Sequence, residues 1–223
     1  MIPFIGVALS AVAAAISSIG PAVAGFCTTV LPKLGFLLTE GLEALKVVMQ
    51  IVNTIASIYD IFQGDENAEN MGDRALQAAA QGITPEHFDD HDEYMGALRN
   101  FPLDDIKSAQ IPIAEKVMAG FALVGRGLDE KFNTPEGTMS NLWVLVAANP
   151  AYFSAEKLTK ILQSGADITS IVNYFEGKLG GGEALETEDK LVHMEKTEVP
   201  DSTEKSIREQ IYGAADAVQR YGC

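Results

Sequence analysis

MIPFIGVALSAVAAAISSIGPAVAGFCTTVLP, residues 1–32, contains no charged side chain. An uncharged run of this length normally meets lipid or another protein surface, not water. Gly20-Pro21 and Pro32 divide it into one stretch from Phe4 to Ile19 and a shorter one from Ala22 to Leu31. In the first, Phe4, Ile5, Ala8, Ala11, Ala15 and Ile19 are the expected contact residues. Small side chains at helical spacing let backbones approach closely. The prolines favour a kinked element, or one held by neighbouring subunits, over a straight span. Ala22-Val23-Ala24 looks like a cleavage site, but no Lys or Arg precedes Lys33, so no cleaved signal peptide is expected.

From Leu34 to Phe62 the pattern predicts one long helix. Gly41, Leu45, Val48, Val52, Ile55, Tyr59 and Phe62 alternate steps of four and three, a heptad-like seam. Glu40, Glu43, Lys46, Gln50, Asn53 and Ser57 occupy the other side, and Val47 to Tyr59 is again uncharged. Residues 1–63 therefore read as an apolar helical hairpin, inserted in a membrane or packed against other subunits. The polar run Gly64 to Asp73 reads as an acidic linker, the expected domain boundary.

Beyond it the chain reads as a small acidic helical domain over residues 74–179. A short helix from Arg74 is closed by Gly82. Thr84-Pro85 opens a helix to about Leu98, and Pro112 opens another to Gly125 or Phe132. Leu142 to Ala148 is a buried run, and Ser154 caps a helix that pairs with one over Ile168 to Lys178. Residues 180–200, starting with three glycines, are expected to be flexible. Asp201 and Glu204 form a capping box for a last helix over 201–223. No period-two strand pattern occurs, so the fold class is mainly α.

The charge balance narrows the partners. Asp and Glu number 31 against 16 Lys and Arg, a net of −15. Residues 1–64 contribute only Lys33, Glu40, Glu43, Lys46 and Asp60, so nearly all of the excess lies beyond them. Such a field repels phosphate backbones and speaks against non-specific nucleic-acid binding, while a basic partner is compatible with it. Cys27 reads as a small hydrophobe and Cys223 ends the chain, which is not a disulfide framework.

Motifs for chemistry are few. His87-Phe-Asp-Asp-His91 would set two imidazoles one helical turn apart, a pair able to grip a divalent ion with Asp90 beside it. Phe88 stands where a zinc protease needs Glu. Reading Asp90 as the start of a calcium loop puts Met95 and Phe101 where Gly and Glu belong. Gly120-Phe-Ala-Leu-Val-Gly125-Arg-Gly127 lacks the Gly-Lys-Ser/Thr ending of a phosphate loop and sits in a helical run, so Arg126 is expected at the surface or in an interface. Trp143, Tyr152, Phe153, Tyr174 and Phe175 are expected to form one aromatic core.

Together these features predict a non-enzymatic structural component of a multi-subunit assembly, without a cofactor, whose partners are other protein subunits or a membrane. In composition it resembles parts of virion tails, ejection devices, secretion machines and pore-formers, and that setting is the expected location. A soluble helical binding module is the first alternative. A metal-dependent enzyme using His87 and His91 is the second.

Overall fold

A computed structural model describes residues 2–221, with side chains over 9–197 and 199–221. Among the described residues it is mainly helical and contains no strand. The chain divides into two compact units, Met1–Trp143 and Val144–Cys223.

The first unit comprises α1 (Ile2–Ser17), α2 (Leu31–Leu34), α3 (Leu37–Glu40), α4 (Leu42–Ile58), α5 (Ala68–Ala79), α6 (His91–Asn100), α7 (Asp105–Gln110) and α8 (Ile113–Phe132). Short 3₁₀ turns at Pro21–Val23, Pro85–His87 and Met139–Asn141 and a π-helical turn at Phe26–Val30 join them. Helix α8 is the centre. Every residue from Lys116 to Gly125 is buried, as expected of a helix covered on all sides.

Helices α5 and α8 share the most extensive contact of the unit, and it is made by backbone. A Cβ on Gly72 would overlap the Lys116 carbonyl oxygen, and one on Gly120 would overlap the Ala68 carbonyl. Only glycine fits either place. Beside this crossing lies a buried ion pair, Lys116 Nζ to Asp73 Oδ2 at 2.9 Å. Gln77 Nε2 donates to Asp73 Oδ1 at 3.0 Å, and Ser108 donates to its other oxygen. Burial by itself would raise the Asp73 carboxyl. The bonds from Ser108, Lys116 and Gln77, with the Lys116 charge, hold it below the usual carboxylate range.

Helices α1 and α4 pack against α8, each by one apolar stripe. Val12, Ile16, Ile19, Val23, Phe26, Val30, Leu31, Leu34 and Leu37 are all buried. So are Leu45, Val48, Val52, Ile55 and Phe62 of the expected seam, while Tyr59 is half-buried. The uncharged N-terminal segment thus finds its apolar partner within its own unit. Ala11 is exposed and Ala15 half-buried; the side chains of Phe4, Ile5 and Ala8, and Cys223, lie outside the described residues. No helix among the described residues is long and apolar enough to cross a membrane.

Three expectations need correction here. The single helix over 34–62 is in pieces: a turn at Gly35–Phe36 separates α2 from α3, Gly41, which is exposed and has φ +96°, outside the right-handed helical region, separates α3 from α4, and α4 ends at Ile58, short of Phe62. The expected linker 64–73 is not one. Asn67 and Asn70 cap α5 reciprocally, the Ala68 N–H donates to Asn53 Oδ1 at 2.8 Å, and Arg99 holds Glu66 at 2.8 Å. Its polar residues spend their hydrogen bonds on closing α4 onto α5 and α6, and the division falls after Trp143 instead. The aromatic cluster also splits, because the Trp143 indole donates to the Phe121 carbonyl at 3.0 Å within the first unit.

Helix α9 (Leu142–Ala148) crosses the division, and the second unit holds α10 (Ala155–Gln163), α11 (Ile168–Phe175), α12 (Gly181–Glu198) and α13 (Glu204–Tyr221). Ser154 caps α10 as expected. The stretch 180–200 is a helix rather than a flexible segment, since Thr187, Glu188, Leu191 and Val192 form a buried stripe at helical spacing. Thr203 rather than Asp201 caps α13, its hydroxyl accepting the Ser206 N–H at 3.2 Å.

The backbone crossing gives a paired prediction. Gly72→Ala should cost at least about 3 kcal/mol, because neither backbone can yield to the added carbon. Gly96→Ala, in α6 with open space around it, should stabilise by up to about 1 kcal/mol. Urea unfolding followed by the fluorescence of Trp143, the single tryptophan, reads both. Equal effects from the two substitutions would contradict the packing.

Candidate functional site

The two histidines of the sequence motif do not share a helix face. His87 ends the 3₁₀ turn, and Phe88 and Asp90 are extended, with ψ 149° and 173°. Asp90 then caps α6, accepting the Glu93 N–H at 2.8 Å, so that His91 is the first residue of the helix. Capping consumes the turn that would have aligned the imidazoles. His87 is exposed beside the Thr84 hydroxyl at 3.3 Å, whereas His91 is 2 % exposed. Among the described residues, no three His, Cys, Asp or Glu side chains are grouped to hold a metal ion.

His91 instead belongs to a buried polar cluster at the junction of α6 and α8. Its N–H donates to the Glu130 carboxylate at 3.0 Å, and its ring lies over Gly127, where a Cβ would come within 2.9 Å of Cδ2 and Nε2. Both ring nitrogens, the Tyr94 hydroxyl and Arg126 Nε are buried without a hydrogen-bond partner. Burial, then the Arg126 and Arg99 charges, push the His91 imidazole down to about 3, with Asp90 opposing, so the ring is neutral at pH 7. Burial also lifts the Tyr94 phenol, helped by Glu86.

Glu86, exposed on the 3₁₀ turn, borders the cluster. Burial acts to raise its carboxyl, but the hydrogen bond from the Ala22 N–H at 2.9 Å, other local bonds and the Arg126 charge hold it low. It thereby ties the N-terminal segment to the turn before α6. The imidazole is enclosed, so its ionisation bears on stability. Arg126, expected at the surface or in an interface, is half-buried and buries its Nε here. Glu86, Tyr94 and Arg126 share no sequence spacing that would have announced this grouping.

The second unit has two polar knots, both satisfied. Glu195 accepts from the Tyr152 hydroxyl at 2.9 Å and from Lys157, whose ammonium lies 3.7 Å from the centre of the Tyr152 ring. Buried Glu188 accepts from Tyr212 at 2.7 Å, from Tyr174 at 3.4 Å and from Arg208. These join α10, α11 and α13 to α12. The Phe153 and Phe175 rings pack edge to face at 4.8 Å beneath them.

The remaining feature is a surface. Val47, Ile51, Thr54 and Ile58 follow spacings of four, three and four along the outer side of α4. Val47 and Ile58 are each 45 % exposed, Ile51 is half-buried, and no charge lies between Lys46 and Asp60. The expected contact stripe on this helix faces the core; the outward stripe is the opposite one.

No family model, curated protein or solved structure matches the chain.

The His91 environment sets a pH dependence. Its folded pKa lies below the unfolded value of 6.5, so its contribution to stability is complete above pH 6.5 and is lost as pH falls toward 3. Between about pH 7.5 and 4.5 the first unit should lose roughly 2–3 kcal/mol from this group. His91→Phe, which does not titrate, should flatten that slope in urea unfolding monitored at Trp143. An unchanged slope would show that His91 is not the group responsible.

Proposed function

We propose that this chain is a non-enzymatic assembly component that engages a protein helix through the outer face of α4. One observation carries the reading: an exposed, charge-free, apolar helical stripe on a protein whose net charge is −15. Contiguous exposed apolar surface marks sites of association, and over more than three helical turns this stripe offers water only the Thr54 hydroxyl, itself bonded to the Gln50 carbonyl. The acidity of the chain disfavours anionic lipid as the surface it meets, which supports a protein partner over a membrane. The buried seam Leu45, Val48, Val52 and Ile55 gives the face rigid support, so little conformational freedom is lost on docking.

In the setting of a larger machine, such a chain acts as a fixed piece whose apolar N-terminal segment builds its own fold and whose α4 makes the contact. The test is co-purification from the native source with full-length tagged protein. Val47→Glu with Ile58→Glu should leave the circular dichroism unchanged and reduce recovery of the partner at least about tenfold, a loss of ~1.4 kcal/mol or more. Undiminished recovery with the double variant would refute the assignment to this face.

A further inference from the structure

The segment between α6 and α8 is fastened to the first unit by hydrogen bonds, with little apolar burial. From Pro102 to Glu115 no residue is buried, the longest such run among the described residues of the first unit. Helix α7, at its centre, buries none of its residues and shares no extensive contact with another helix. Ile106 of α7 is 76 % exposed already, so detaching the helix uncovers little further apolar surface. We infer that residues 102–112 form a strap that lifts off the buried Asp73–Lys116 pair while the rest of the first unit stays folded. This movement is independent of the contact face on α4.

The fastening is polar and local. Ser108 donates to Asp73 and accepts from Lys116 Nζ at 2.9 Å. Gln77 Nε2 donates to the Asp104 carbonyl at 3.2 Å, and Gln77 Oε1 accepts the Asp104 N–H at 3.0 Å. Asp73 and Gln77 stand one helical turn apart, so a single face of α5 carries most of the attachment. Water can replace each of these bonds, and each is worth little net. With the strap raised, Asp73 and Lys116 are hydrated together, which avoids the penalty of a buried charge left unpaired. Both flanks are anchored: Phe101 is buried and its carbonyl accepts from Arg74 Nη1 at 2.8 Å, and α8 is buried from Lys116 to Gly125. Pro102 and Pro112 keep the residues before them, Phe101 and Ile111, extended at ψ 126° and 123°, so α7 cannot merge with α6 or α8. The crossing of α5 and α8 is made by backbone at Gly72 and Gly120 and does not pass through the strap.

Hydrogen–deuterium exchange of the full-length chain, resolved by peptide, reads the opening. Acylation of Lys116 by a small amine-reactive ester, followed by mass spectrometry, reads whether the strap leaves the pair. Amides of α7 should exchange at least about a hundredfold faster than those of α5 and α8, at a rate that low urea leaves unchanged, the mark of a local opening. Lys116 should be acylated at a rate that is likewise unchanged by low urea. Ser108→Ala should speed exchange of α7 about three- to tenfold, the weight of one or two hydrogen bonds, with α5 and α8 unaffected. Gln110→Ala, at an exposed position of the same helix, should change it by less than about twofold. Protection of α7 equal to that of α8 overturns the strap. Fast exchange of α7 with Lys116 acylated only as α8 unfolds means that α7 frays in place, and overturns the lifting. Equal effects of Ser108→Ala and Gln110→Ala overturn Ser108 as the fastening.

Discussion

The approach of α5 to α8 at backbone distance is the constraint on which the first unit depends. At Gly72 and Gly120 there is no room for even one methyl group, so the helices come closer than side chains would allow and the remaining contacts are arranged around that crossing. Close approach brings Asp73 and Lys116 together in a buried setting, where Gln77 and Ser108 satisfy the carboxylate. Such a pair is a poor source of net stability but a strong penalty on misalignment, because removing one partner leaves a buried charge unpaired. The crossing and the ion pair therefore specify the same register of α5 on α8. With α8 held there, the apolar stripes of α1, α4 and α6 each find a face to cover.

Much of the helical pattern was legible from the sequence, and the failures have identifiable causes. Period, capping and proline placement located α8, α10 and α11 because those signals are local. The interruptions at Gly35–Phe36 and Gly41 leave no mark on the pattern, because Leu34, Leu38, Leu42, Leu45 and Met49 keep the apolar rhythm across both. The expected linker 64–73 misleads for the opposite reason. Asp65, Glu66, Asn67 and Asn70 have the composition of a loop, yet Asn67, Asn70 and Glu66 are the caps and tethers that begin α5. The glycines of α12 hid a helix whose buried Glu188 is explained by Arg208, twenty residues later and on another element.

The polar cluster was hardest to foresee. His91 is visible as half of a spacing motif, but the motif assumes a helix through residues 87–91, and with Asp90 as its cap the helix starts only at His91, four residues too late for that. What surrounds the imidazole comes from elsewhere: Arg126 and Gly127 from α8, Glu86 from a 3₁₀ turn. Long-range assembly of this kind leaves no periodic trace. The glycines of the 120–127 stretch do carry meaning, though not as a phosphate cradle. Gly120 admits the backbone of α5 and Gly127 admits the ring of His91.

The uncharged N-terminal run up to Pro32 is then, over its described side chains, best understood as building material for the first unit, with the outer side of α4 left for contact. That division of labour rests on one claim, that residues 12–37 are integral to the packing around α8. Hydrogen–deuterium exchange of the full-length chain, resolved by peptide, tests it directly. Backbone amides over α1 and the turns up to α2 should be protected to nearly the same degree as those of α8, and should lose protection together with α8 when denaturant is added. Exchange of the N-terminal segment within seconds, while α8 stays protected, would contradict the account.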